Sequence, residues 1–257
     1  MKTTSFKFSG IIALIAIIGF VVIACDNGSS HTHTPGATAT CTTAQVCTDC
    51  GDVIVAALGH DMEWVETIPA TYISAGIESY TCIRIDCDHI EGTQPIPQIP
   101  ITNTSWFSTS GVRNNVPDTD KNNPYTLIVN LPVGVNLNNT NAISNELRDY
   151  RNASKFVILD MSGSEFTAIG DQAFQLNTLI GITIPATVTS IGNSVFASSM
   201  NLTSVTVLAT TPPILGNDSS FYYTPANLKI YVPAASVSAY KTAQYWATHA
   251  DKIEAIP

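Results

Sequence analysis

Charge is scarce in this 257-residue chain: only 12% of residues are Asp, Glu, Lys or Arg. Eleven basic side chains face 20 acidic ones, for a net charge of −9. A polyanionic partner needs a basic surface, so this balance argues against nucleic-acid binding. Histidine is also sparse, with five in all. His249 is alone in the C-terminal part, and no Ser-His-Asp motif accompanies it. A Walker loop, a Rossmann glycine fingerprint and an HExxH motif are all missing. The chain is therefore read as a non-enzyme. Cysteine is absent after Cys87, which confines any thiol chemistry to the first third of the chain.

The one long apolar run is at the start. Lys2 and Lys7 precede a nearly unbroken apolar segment over 11–23, which is short for a membrane span of roughly 20 residues but matches the apolar region of a secretion leader. The segment ends in Val22-Ile23-Ala24-Cys25. This resembles the lipobox of bacterial lipoproteins: a branched aliphatic, a small residue, then cysteine. The resemblance implies cleavage before Cys25 and acylation of its thiol, with residues 1–24 as signal peptide. The lipid bilayer is then a partner through Cys25, because each buried CH₂ of an acyl chain contributes about 0.8 kcal/mol. Residues 25–39, rich in Gly, Pro, Ser and Thr, read as a flexible tether.

Residues 40–96 hold the remaining cysteines. Cys47-Thr-Asp-Cys50 followed by Gly51 has the form of a metal knuckle, in which a tight turn lets two thiolates face one ion. Cys82 and Cys87 form a wider pair. The segment reads as two diverged copies of one unit, with His33 opposite His60, the CxxC opposite Cys82/Cys87, and Cys41 opposite Tyr72. It resembles the small tandem Cys/His repeats of bacterial surface proteins, although the second copy lacks the first cysteine. Three arrangements are open: structural zinc held by Cys41, Cys47, Cys50 and a histidine, His60 or His33; one ribbon-like site from Cys47, Cys50, Cys82 and Cys87; or disulfides, as is usual outside the cytoplasm. The first, with His60, is the working metal set. In each case the role is structural, since so short a segment buries too little apolar surface to stand unaided.

Residues 97–105 carry alternating prolines and read as an extended linker. Beyond them, over 106–257, the chain becomes periodic. The apolar pairs Leu159/Met161, Ile182/Ile184, Val205/Val207 and Leu228/Ile230 recur every 23 residues. Ile169/Ile191, Gly170/Gly192 and Phe174/Phe196 recur at 22. A period in the low twenties predicts a leucine-rich-repeat solenoid, with one short strand per turn and alternate residues pointing inward. Each glycine is assigned to a turn and each Phe to the core. YTLIVNL reads as a strand, NAISNELRDYRN as a helix covering the N-terminal end, and residues 233–256 as a helical C-terminal cap. TTPPILGNDSSFYY departs from the Ile-Gly-Phe pattern. The expected fold is an α/β repeat, a short solenoid of parallel strands, plus a small Cys-rich β module.

TSIGNSVFASSMNLTSVTV resembles the leucine-rich repeats of the BspA type, and SKFVILDMSGSEFTAIG the start of such repeats in spirochaete lipoproteins. The resemblance implies display on the outer cell surface and an adhesin-like role toward a host or partner-cell protein. Asp160, Thr183, Thr206 and Lys229 are the expected ligand-facing row. The alternative is a periplasm-facing scaffold lipoprotein without a host ligand.

Overall fold

The computed structural model describes residues 32–257 except Asn139. The leader and Cys25 lie outside the described residues. Among those described, no helix is long and apolar enough to cross a membrane. The described residues form two compact units: 32–65 together with 79–92, and 66–78 together with 93–257.

The first unit is made of short strands around the cysteines. Strands β1 (Gln45–Val46) and β2 (Val53–Val55) pair antiparallel. Strands β3 (Met62–Ile68), β4 (Gly76–Cys82) and β5 (Ile90–Ile96) form a three-stranded sheet in that order, each strand having residues in both units. Each cysteine pair occupies a tip: Cys47 and Cys50 between β1 and β2, Cys82 and Cys87 at the link from β4 to β5. Part of the segment read as a tether joins this unit. Pro35 bridges Cys47, and Gly36 donates its amide to the Val46 carbonyl at 3.0 Å.

The second unit is the solenoid. Residues read as a linker belong to it: Ile101 is buried and bridges Val129 in parallel. Two short helices follow, α1 (Ser105–Ser108) and α2 (Gly111–Asn115). Strand β6 (Tyr125–Ile128) then begins a sheet that continues through β7 (Val157–Asp160). Helix α3 (Ala142–Arg148) lies between these strands in sequence, started by Asn141, whose side chain accepts the Ser144 amide at 3.0 Å. It is more than an end cover. Leu137 bridges Ile169 in parallel, so β6, Leu137 and α3 make up a diverged turn of the solenoid. The sequence hides this turn because α3 replaces the short Gly-to-Phe return.

The regular turns alternate a long-sheet strand with a short return strand. After β7 come β8 (Ala168–Ile169), β9 (Leu179–Ile184), β10 (Ser190–Ile191), β11 (Ser204–Val207), β12 (Ile214–Leu215) and β13 (Lys229–Val232). Helix α4 (Val237–Thr242) leads to β14 (Ile253–Ala255). The six-stranded sheet runs β14-β13-β11-β9-β7-β6, with every neighbouring pair parallel. The return strands β12-β10-β8 form a second parallel sheet. The α/β repeat fold with a separate small Cys-containing strand region is thus as expected. Between the two sheets runs one continuous apolar core from Ile101 to Ile253. No single turn buries its own apolar face; each does so by stacking on the next.

Aromatic rings mark the axis of that stack. Phe174, Phe196 and Phe221 lie in series, their ring centroids 5.9 and 5.3 Å apart and nearly parallel. Trp246 and His249 of the C-terminal cap close the series on Phe221. The stretch that departs from the repeat pattern therefore fills the same places. Leu215 pairs with Ile191, Gly216 follows it, and Phe221 takes the Phe position with one extra residue after the glycine. Phe221 is core, whereas Tyr222 and Tyr223 are exposed.

The repeat glycines have a different cause from the turn assigned to them. Gly170, Gly192 and Gly216 are not in the left-handed region; the non-glycine residues Gln172 and Ser194 adopt it, two positions after the first two of them. Glycine is required because successive turns meet backbone to backbone. A Cβ on Gly216 would lie 2.7 Å from the Gly192 carbonyl carbon.

Candidate metal centres and the exposed sheet face

The five described thiols gather with two of the imidazoles into two groups, both within the first unit. Cys41, His60, Cys82 and Cys87 form one, and His33, Cys47 and Cys50 the other; in each, the ligand atoms lie within 4.8 Å of one another. The set expected from the sequence, Cys41, Cys47, Cys50 and His60, is therefore divided. Cys41 and His60 join the wider cysteine pair, and the CxxC pair takes His33. The cause is local: each histidine is tied to the cysteine hairpin of its own copy, and the two hairpins are separate. The same division places the two cysteine pairs in different groups, not in one ribbon-like set.

In the four-ligand group, Cys41 Sγ is 3.5 Å from Cys82 Sγ, and His60 Nδ1 is 3.3 Å from Cys87 Sγ. A tetrahedral zinc with ordinary bond lengths sets sulfur–sulfur at about 3.8 Å and nitrogen–sulfur at about 3.6 Å. These two pairs are thus a few tenths of an ångström tighter than in a loaded site, and all four ligand atoms lie within 4.8 Å of one another. A disulfide would require the Cys41 and Cys82 sulfurs to close to about 2.05 Å.

The electrostatics favour one thiolate already. Burial alone would raise the Cys82 thiol. Hydrogen bonds from Cys87, from the backbone at Arg84 and Asp61, and from His60 outweigh it and bring Cys82 down to about 6. The Asp61 amide donates to Cys82 Sγ at 3.4 Å. Cys41 moves the other way, pushed up to about 12 by its hydrogen bond with Cys87, by burial and by the neighbouring Cys82. His89 stacks on His60, with ring centroids 3.9 Å apart.

The three-ligand group is built on the CxxC turn. Gly51 has φ +80°, and its amide donates to the Cys47 carbonyl at 2.9 Å. His33 Nδ1 is 3.4 Å from Cys50 Sγ. His33 was weighed in the sequence only as a substitute for His60. The signal that assigns it here is the two-copy alignment, which sets each histidine with its own cysteine pair.

On the solenoid, the outward row of the six-stranded sheet is settled by register. Asp160 pairs with Thr183, Thr183 with Thr206, and Thr206 with Tyr231. Lys229, expected in this row, pairs instead with Ser204. The last turn is two residues longer than the 23-residue repeat, so the strand enters later. Correspondingly the inward pair of β13 is Ile230 and Val232, both fully buried. Lys229 makes an ion pair with Glu254, and that hydrogen bond raises its pKa. Small side chains flank the row: a Cβ on Gly181 would lie 2.7 Å from Ser204 Oγ.

His249 belongs to the core. Its Nε2–H donates to the Asp218 carbonyl at 3.0 Å, and burial lowers its pKa. No curated protein matches the chain. Residues 136–245 match the family model of the BspA type leucine rich repeat region, in six copies.

Proposed function

We propose that this chain is a lipid-anchored cell-envelope protein that presents a leucine-rich-repeat module for binding another protein, in the manner of an adhesin. The observation that carries this reading is the match of residues 136–245 to BspA-type repeats, which the structure builds as one parallel sheet with a half-exposed polar row, Asp160, Thr183, Thr206 and Tyr231. Solenoid sheets of this kind offer extended binding surfaces because successive strands present equivalent positions in register. The chemistry expected of the module is recognition. The leader reading supports anchoring through acylated Cys25, and the resemblance to BspA-type repeats supports display on the outer surface, with a host or partner-cell protein as the ligand class.

The first unit acts as a spacer stapled by zinc at Cys41, His60, Cys82 and Cys87. Three thiols and an imidazole form a closed four-ligand set of the kind used for structural rather than catalytic zinc.

Protease treatment of intact cells tests display, with a periplasmic protein as control. Loss of the repeat module while the control survives supports the reading. Protection until the envelope is broken places the module inside and favours a scaffold lipoprotein. Pull-down with Thr183→Lys and Thr206→Glu variants then tests the face. Binding that survives both substitutions assigns recognition elsewhere.

A further inference from the structure

The two cysteine groups are copies of one device. In the first, the Cys47 amide donates to the Asp52 carbonyl at 2.8 Å; in the second, the Cys82 amide donates to the His89 carbonyl at 2.9 Å. Each bond runs from the first cysteine to the residue two beyond the second. Thr48 donates to the Thr34 carbonyl at 3.0 Å, and Ile83 to the Asp61 carbonyl at 2.9 Å. Each of these joins the residue after the first cysteine to the residue after the histidine. The contact of His33 Nδ1 with Cys50 Sγ, at 3.4 Å, has its counterpart in His60 Nδ1 with Cys87 Sγ, at 3.3 Å. Three equivalent pairs mean that a histidine strand and a cysteine hairpin are joined in the same way twice, despite the wider spacing of Cys82 and Cys87.

The unit also has little else to hold it. Its buried apolar side chains, among the described residues, are Ala39, Cys41, Cys47 and Cys82. Val53, Leu58, Trp64 and Ile83 are exposed, and Ile85 is 92% exposed. Three of the four buried side chains are therefore candidate ligands. A unit that buries thiols in place of an apolar core requires cross-links, one for each hairpin.

We propose that this unit binds two divalent ions of zinc type: one at Cys41, His60, Cys82 and Cys87, and a second at His33, Cys47 and Cys50. Thiolate and imidazole donors select zinc over magnesium or calcium, which take oxygen. Cys41, opposite Tyr72 in the two-copy alignment, is lent by the first copy to the second copy's ion and so ties the copies together. This rests on the reading of the four-ligand group as a zinc site and extends it to a second centre.

The test is metal stoichiometry on the full chain, purified in detergent under reducing conditions and titrated with cobalt(II) and with zinc(II). Saturation at two equivalents per chain is expected. Cys47→Ser/Cys50→Ser should retain one ion with a three-thiolate cobalt spectrum. Cys82→Ser/Cys87→Ser should retain one with a two-thiolate spectrum. The thiolate-to-cobalt absorbance of the two variants should stand near 3 to 2 per ion, following the number of sulfur ligands. Saturation of the parent at one equivalent, unchanged in Cys47→Ser/Cys50→Ser, overturns the second centre while leaving the first. Saturation of the parent at one equivalent that is lost entirely in Cys47→Ser/Cys50→Ser but kept in Cys82→Ser/Cys87→Ser overturns the four-ligand reading instead. If a double variant fails to fold, the parent titration and the milder His33→Ala decide: His33→Ala should weaken only one of two binding phases.

Discussion

Gly192 lies against Gly170 so closely that a Cβ at position 192 would stand 2.7 Å from the Gly170 carbonyl carbon and 2.6 Å from the Asp171 amide nitrogen. Both neighbours are backbone, so the turns themselves would have to part. Gly192→Ala is expected to destabilise the solenoid by about 1–3 kcal/mol, the range for forced overpacking. Gly92→Ala, where nothing lies within 4 Å, is the control. Denaturant unfolding of both variants checks this; equal midpoints would refute the close-approach account.

Phe196 is sandwiched between Phe174 and Phe221 and is fully buried. Phe196→Ala removes a ring from the middle of the stack and should cost about 3–5 kcal/mol. Because repeat stability is passed between neighbouring turns, the turns on both sides of Phe196 should be affected. Hydrogen exchange would show this as lost protection in β9 and β11 alike. A loss confined to one of them would indicate that the turns unfold separately.

Register makes a discriminating prediction on the outer face. Tyr231 continues the row of Asp160, Thr183 and Thr206, while Lys229 is engaged with Glu254. For a ligand captured by the face, Tyr231→Ala should reduce affinity more than Lys229→Ala. Thr206→Ser should leave the melting temperature nearly unchanged, since its change in stability falls within about 0.5 kcal/mol. Affinity measured for the three variants checks the order.

The cap should be sensitive to mild acid. Burial lowers the His249 pKa, only partly opposed by its hydrogen bond to the Asp218 carbonyl and by Asp251. The unfolded chain, with an imidazole pKa of about 6.5, then binds the proton more tightly than the folded one. Stability is retained above that value and is lost as pH falls through it toward the lower folded value. Melting curves from pH 7.5 to 5.5 should show a decline that is smaller in His249→Gln. An identical slope in the variant would mean that another group is responsible.

Metal removal should separate the two units. A strong chelator under reducing conditions is expected to expose residues 40–65 to protease, since thiols are most of what is buried there. Residues 106–257 should remain as a resistant fragment, because their core is apolar and holds no cysteine. Mass spectrometry of the digest distinguishes this from cleavage throughout.

The repeat region was legible because its core obeys a period. Leu159, Ile182 and Val205 recur at constant spacing, and burial of one face per strand forces that spacing. Legibility failed where a turn changed length. The two extra residues before β13 moved Lys229 out of the row expected for it, and α3 concealed the turn that begins at β6. In the cysteine unit, counting ligands along the chain grouped Cys41 with Cys47 and Cys50. The alignment of two copies already held the better grouping, His33 with one pair and His60 with the other.

The sequence by itself determined the parallel α/β solenoid, the core role of Phe174 and Phe196 and a small cysteine-containing unit, because apolar period and cysteine clustering are local properties of the chain. The tertiary structure alone decided which cysteine pair Cys41 joins, which side chains form the exposed row and why the repeat glycines cannot be larger. Each of these depends on distances between residues far apart in sequence. Such distances are set by hydrogen-bond register and by the contact of one turn with the next.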